Sequence, residues 1–141
     1  MYETIKSLHS YFAWAALIVL AVVFLLAVLA TFGGREQSFK KPALFALMAI
    51  HIQFLLGLVL YFVSPFGFSN ISGDTMKDAM SRLLAVEHPL TNIIAVILIT
   101  IGYSRAKRKL SESESGKTIM WFYGIGLVLL LSRIPWASWL G

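Results

Sequence analysis

The residues best suited to redox or acid–base chemistry in this sequence are three histidines and one acid, His9, His51, His88 and Glu87. Each lies in or beside a long apolar stretch, and Glu87 and His88 are followed directly by Pro89. Such side chains are expensive at membrane depth and usually face the interior of a helix bundle. Neutral imidazole nitrogen is also a ligand of haem iron. Two of these histidines on different helices would hold one b-type haem without a covalent bond.

The three histidines leave two ways of forming an axial pair. His88 belongs to both, and its partner is either His9 or His51. A helical rise of about 1.5 Å per residue puts each partner roughly 10 Å from His88 along the membrane normal, so either pairing needs a helix to tilt. The segments "HSYFAWAALIVLA" and "HPLTNIIAVILIT" begin with His9 and His88. Their similarity is either chance or an internal repeat, and a repeat would make these histidines equivalent on two parallel helices.

Other polar side chains in the apolar stretches have structural as well as functional interpretations. The same helical rise puts Glu87 and Arg133 at similar depth, roughly 23 Å and roughly 21 Å from the cytoplasmic ends of their helices. A structural ion pair between them is one expectation, since opposite charges stabilise each other in a low dielectric. Alternatively, Arg133 binds a haem propionate while Glu87 relays protons. Gln53 could hydrogen-bond between helices, as could His51, and His9 could lie near the lipid headgroups.

Composition places the chain among membrane proteins. Of its 141 residues 58% are hydrophobic and 13% are charged. A soluble domain carries roughly twice that charged fraction, so the excess apolar surface requires lipid. The sequence has no cysteine, which excludes disulfides, thiolate nucleophiles, iron–sulfur clusters and covalently attached haem. Any redox centre must then use nitrogen, oxygen or methionine sulfur ligands.

Four apolar runs are each long enough to cross a bilayer as a helix, which takes about 20 residues. They predict an all-α fold, an integral membrane four-helix up-and-down bundle, forming one domain over 1–141. The predicted spans are 11–32, 43–63, 83–103 and 119–140, with a long outer loop over 64–82.

The connectors supply helix-end signals. Ser38 is a candidate N-cap of the second helix, and Asp74 is a candidate cap of an amphipathic turn that leads into the third. The Ser/Glu tract in "SRAKRKLSESESGK" is typical of an exposed loop.

The distribution of basic residues predicts the orientation. Eight Lys and Arg residues lie in the first and third connectors, whereas four lie on the other side. Cytoplasmic loops carry the excess of Lys and Arg, so both termini and the 64–82 loop are predicted outside the cytoplasm. The net charge of +5 is explained by this asymmetry, and nucleic acid is not an expected partner.

Four segments carry a resemblance to a known family, "LHSYFAW", "HIQFLLGLVLYFVSP", "VEHPLTNIIAVILITIGYSRAKRK" and "RIPW". Over nearly its full length the chain resembles a family of small bacterial four-helix membrane proteins labelled cytochrome b. The segment "IKSLHSYFAW" also resembles, more distantly, the first helix of the membrane protoporphyrinogen oxidase family, whose histidine there is linked to haem. The resemblance implies a bacterial inner membrane protein with haem ligands at His9, His51 and His88. The doubled ligand pairs of larger b cytochromes are missing, so transfer through two haems is not predicted.

Three functions follow as expectations. The first is a b-type haem protein in electron transfer or redox-linked chemistry. The second is a non-catalytic subunit or assembly factor of a membrane complex, with the polar residues forming only a clasp. The third is a quinone- or porphyrin-handling oxidoreductase that uses Glu87 and His88 as a proton pair. Expected partners are the lipid bilayer, a quinone or respiratory protein, and a second copy of the chain as a homo-oligomer.

Overall fold

The computed structural model describes residues 1–33, 39–109 and 111–140, apart from the side chain of Glu112. The described residues form helices and turns and contain no strand. Four helices are long and apolar enough to cross a membrane. The predictions of an all-α chain and of four apolar helices are confirmed.

The helices are numbered in chain order, and the third apolar segment is divided by a π turn. The bounds are α1 Tyr2–Gly33, α2 Lys40–Val63, α3 Ala79–Arg82, the π turn Leu83–Glu87, α4 His88–Ala106, α5 Glu112–Ser132 and α6 Trp136–Leu140. The outer segment between α2 and α3 contains two short 3-10 turns, Phe68–Asn70 and Thr75–Lys77.

The fourth apolar helix begins and ends earlier than predicted. The Ser/Glu tract is the first turn of α5 rather than a loop, because the Ser111 hydroxyl accepts a hydrogen bond from the Glu114 N–H at 3.1 Å. A serine followed three residues later by glutamate is a known signature of a helix start. The helix ends at Ser132 because Pro135 disfavours helical backbone before it, and the short α6 follows.

A different acid from the predicted one caps the helix before the π turn. Among the described residues Asp74 makes no capping hydrogen bond, so that prediction is wrong. Asp78 caps α3 instead, accepting from the Ser81 N–H at 2.9 Å. Hydrogen bonds from Ser81 lower the pKa of the Asp78 carboxyl below its ordinary value. The predicted cap Ser38 lies outside the described residues.

The four long helices pack against one another in pairs. Helix α1 packs on α2 and α5, and α4 packs on α5 and less extensively on α2. Close approach of α4 and α5 depends on Gly126, where a Cβ would lie 2.6 Å from Cγ1 of Ile99. The helices that do not pack as neighbours, α1 with α4 and α2 with α5, therefore face each other across the interior.

The solid core lies at one end of these helices, called the tyrosine end here and defined by Phe39, Ala43, Ala46, Ile119 and Tyr123. All five residues are buried, and the Tyr123 ring is fully enclosed. Its hydroxyl donates to the Ala43 carbonyl across the interior at 2.7 Å. Buried alanines let the helices approach one another closely at this end.

Candidate functional site

The opposite end of the helices, called the histidine end, is defined by His9, Gln53, Gly57, His88 and Asn92. The imidazole ring centroids of His9 on α1 and His88 on α4 are 6.3 Å apart, with their planes at 86°. The expected axial offset of about 10 Å assumed straight helices with a uniform rise. The rings lie closer together than that offset, so it does not keep His9 and His88 apart.

The π turn positions His88 at the start of α4. The His88 N–H donates to the Leu83 carbonyl five residues back, which is the π hydrogen bond. Pro89 has no N–H, so the carbonyl of Ala85 one turn back loses its helical donor. The Tyr61 hydroxyl on α2 donates to that carbonyl at 2.8 Å. Tyr61 thus supplies the donor that Pro89 cannot provide.

The hydrogen bonds of His88 define its tautomer. Its Nδ1 lies 2.8 Å from the Arg133 carbonyl, which can only accept, so Nδ1 carries the proton. Its Nε2 therefore accepts from the Asn92 amide nitrogen at 3.1 Å. A histidine that donates one N–H to a carbonyl and leaves the other nitrogen as a lone pair has the tautomer typical of a metal ligand.

The hydrogen bonds of His9 define the opposite tautomer. The Gln53 amide nitrogen donates to Nδ1 of His9 at 3.1 Å and to its backbone carbonyl at 2.9 Å. In a neutral ring the proton then lies on Nε2, which has no hydrogen-bond partner among the described residues. The ring packs against Gly57, where a Cβ would lie 2.9 Å from Cε1 of His9. Glycine is therefore needed at that position for the ring to keep its place.

Two amide oxygens at the histidine end are buried without a partner in the described part of the chain. They are Oε1 of Gln53 and Oδ1 of Asn92. A buried acceptor without a donor costs about 1–3 kcal/mol. Each amide gives its nitrogen to a histidine and leaves its oxygen unsatisfied. Such groups indicate strain or a missing donor at a site.

A cavity of about 760 Å³ adjoins the two histidines. Gln53, Asn92 and Trp139 also line it, and most of its remaining lining is apolar. Trp139 stacks on Trp14 of α1 with centroids 4.6 Å apart, so the short α6 folds back over this end. The cavity is large enough for a drug-sized or larger ligand.

The cavity has an apolar mouth between α2 and α4. The mouth is formed by Leu58 and Phe62 on α2 and by Leu90 and Ile93 on α4. These four residues line the cavity and are also exposed on the outer surface of the helices. The cavity lining thus includes side chains of the apolar outer surface between these two helices.

The predicted ion pair between Glu87 and Arg133 is wrong. Glu87 accepts from Nε of Arg82 at 3.1 Å, and Arg82 also donates to the Met76 carbonyl at 2.8 Å. Because α5 ends at Ser132, the exposed Arg133 side chain donates to the Ser132 carbonyl at 3.0 Å. Arg133 thus contributes its backbone carbonyl to His88, and its guanidinium lies outside the site.

His51 is separate from the pair. Its Nε2 lies 2.9 Å from the Thr100 hydroxyl, which donates to the Val96 carbonyl at 2.7 Å. His51 therefore donates, and it links α2 to α4 three turns below His88. The structure brings His51 to Thr100 rather than to His88, and the alternative of a hydrogen bond between helices is confirmed for His51. Gln53, expected to play that part as well, joins His9 of α1.

Asn92 and Tyr61 were not predicted as site residues. Asn92 follows His88 by four residues, a spacing that puts both on one helix face, so the sequence did contain a signal. For Tyr61 the sequence signal was indirect. Pro89 predicts that a carbonyl one turn back lacks its donor, but it does not predict which side chain will donate to that carbonyl.

Comparison with known proteins adds no family. The chain matches no family model, no curated protein and no solved structure. Within residues 1–33, 39–109 and 111–140 there is also no group of three or more His, Cys, Asp or Glu side chains that could hold a metal ion.

Proposed function

We propose that this chain is a multi-pass membrane protein, folded as an up-and-down four-helix bundle, that binds one b-type haem between His9 and His88. The spacing of the two rings carries the proposal. One metal ion between the rings would take one nitrogen from each imidazole, which requires the two rings to lie close together. The centroids are 6.3 Å apart.

The residues around His88 fit this role. Its Nε2 is the unprotonated nitrogen, and the Arg133 carbonyl orients the ring through Nδ1. The neighbouring cavity of about 760 Å³ has the apolar walls that a macrocycle requires. Lys6 lines the same cavity and is the cation placed to meet a propionate, in the role expected of Arg133.

Ligation would require two amides to reorganise. Asn92 must release Nε2 of His88, and the His9 proton must move from Nε2 to Nδ1. The Gln53 side chain then has to accept a hydrogen bond from the His9 Nδ1–H instead of donating one. Its Oε1, which has no partner among the described residues, is the atom available to accept it. Haem binding is therefore expected to be coupled to rotation of Gln53 and Asn92.

A bound haem would supply one-electron transfer. The electron partner is expected to be a quinone or a respiratory protein. By the excess of Lys and Arg on the first and third connectors, the site lies near the outer face of a bacterial inner membrane, with both termini outside the cytoplasm.

The visible spectrum of protein purified from a haem-replete host tests the proposal. We expect a Soret band and sharp reduced α and β bands that disappear in His88→Ala and in His9→Ala. His51→Ala is the matched control and keeps the bands, because its imidazole is hydrogen-bonded to Thr100 outside the pair. A colourless wild-type protein, or bands lost only in His51→Ala, would refute the assignment.

A further inference from the structure

We infer that the cavity also binds a neutral, lipid-soluble molecule whose polar head donates hydrogen bonds, and that this molecule enters from the hydrocarbon between α2 and α4. The inference goes beyond haem binding and does not depend on it. It is based on the apolar mouth and on the two unsatisfied amide oxygens.

The mouth determines which solutes can reach the cavity from the hydrocarbon. Its four residues are aliphatic or aromatic, and they lie in segments long and apolar enough to cross a membrane. Leu58 and Ile93 are each 41% exposed while also lining the cavity. An opening of this kind faces acyl chains, where a charged solute would pay a large desolvation penalty. The mouth therefore selects neutral molecules with an apolar body.

The amide oxygens determine the chemistry of the head. Oε1 of Gln53 and Oδ1 of Asn92 are acceptors, so their missing partners must be hydroxyl or N–H donors. Both oxygens are sealed from solvent, so a ligand meets them only when the amide rotates toward the cavity. Rotation breaks two hydrogen bonds of Gln53 but one of Asn92. Asn92 is thus the principal acceptor.

Binding of iron by His88 would not supply the hydrogen-bond donor that the Asn92 oxygen lacks. If Nε2 of His88 bound a metal, the Asn92 amide would lose the one acceptor that it has. Its oxygen would still lack a donor, because a metal satisfies neither end of the amide. The Asn92 oxygen therefore needs a donor whether or not a metal is bound.

A donor-matched pair of probes tests the inference in the full chain in phosphatidylcholine nanodiscs without oxygen. The probes are decyl hydroquinone, which has two hydroxyl donors, and its dimethyl ether, which has none. We expect the hydroquinone to bind about tenfold more tightly than the ether after subtraction of binding to empty nanodiscs. Asn92→Leu should abolish that difference while leaving ether binding unchanged.

The entry route is tested by a bulky residue at the mouth. Ile93→Trp should weaken binding of both probes about tenfold or more, whereas Ile97→Trp should not. Ile97 is the control because it is 52% exposed on the same helix and does not line the cavity.

Equal affinity of wild-type protein for hydroquinone and ether would overturn the inference, and this comparison decides it even if Asn92→Leu fails to fold. Equal effects of the two tryptophan variants would show that the probes do not enter between α2 and α4. Circular dichroism of each variant identifies loss of fold.

Discussion

The two ends of the long helices differ in how closely their side chains fill the interior. At the tyrosine end, buried alanines and a fully enclosed tyrosine bring the helices into contact, and the Tyr123 hydroxyl is satisfied by Ala43. At the histidine end, polar side chains surround a cavity of about 760 Å³ and leave two amide oxygens unsatisfied. The packing at the tyrosine end stabilises the fold. At the histidine end, the cavity and the two unsatisfied oxygens lower the stability of the fold.

This difference makes the histidine end the candidate site of the molecule. Both ends are built from the same four helices, and both are joined across the interior by side chains. Unsatisfied polar groups and empty space occur together at one end, and such features are retained in proteins where a ligand uses them.

The largest expected effect comes from opening the tyrosine end. Tyr123→Ala removes a fully buried ring and should lower the free energy of unfolding by about 3–5 kcal/mol. His88 lies beside an existing cavity, so His88→Ala should lower the free energy of unfolding only by the loss of its hydrogen bonds, no more than about 1–2 kcal/mol. Reversible unfolding in mixed detergent micelles measures both. Equal losses would mean that the two ends contribute alike to stability.

A smaller effect is expected from the backbone that holds His88. Tyr61→Phe leaves the buried Ala85 carbonyl without its hydroxyl donor, at a cost of about 1–3 kcal/mol. Pro89→Ala restores an N–H one turn after Ala85, so it should rescue Tyr61→Phe. A double-mutant cycle on the free energy of unfolding measures the coupling. Additive effects would show that Tyr61 does not replace the proline's missing donor.

The smallest expected effect lies at the cap of α3, outside the apolar segments. Because Ser81 lowers the pKa of Asp78 in the folded chain, the cap contributes stability above the unfolded pKa of about 4 and loses it as the pH falls through the folded value. Hydrogen exchange at the Ser81 amide, corrected for intrinsic rate, should accelerate below that pH. Asp78→Asn should remove the pH dependence and keep the cap. The same acceleration in Asp78→Asn would exclude the carboxyl as its cause.

The apolar helices could be predicted because length and hydropathy are local properties of a sequence. Their ends were less predictable, since Ser111 and Pro135 act through backbone hydrogen bonds and dihedral angles rather than through composition. The expected ion pair failed for the same reason. Once α5 ends at Ser132, the Arg133 guanidinium leaves the interior and Arg82 becomes the partner of Glu87.

The candidate site was predicted only in part. Residue type identified the three histidines, but the choice of His9 over His51 depends on how α1 and α4 face each other, which no single helix encodes. The proton positions depend on Gln53 and Asn92, and those partners emerge from packing. His51 shows the limit of residue type, because an equally apolar setting gave it a hydrogen bond to Thr100.

The π turn before His88 has a further consequence for rotation about the helix axis. A π turn contains one residue more than the α-helical turn that it replaces. Each α-helical residue advances by about 100°, so loss of one residue from Leu83–Glu87 would turn α3 by about that angle relative to α4. Arg82 would then swing away from Glu87, and the outer segment would no longer face the helix that carries His88. The extra residue thus sets the rotation of the outer segment about the helix axis relative to α4.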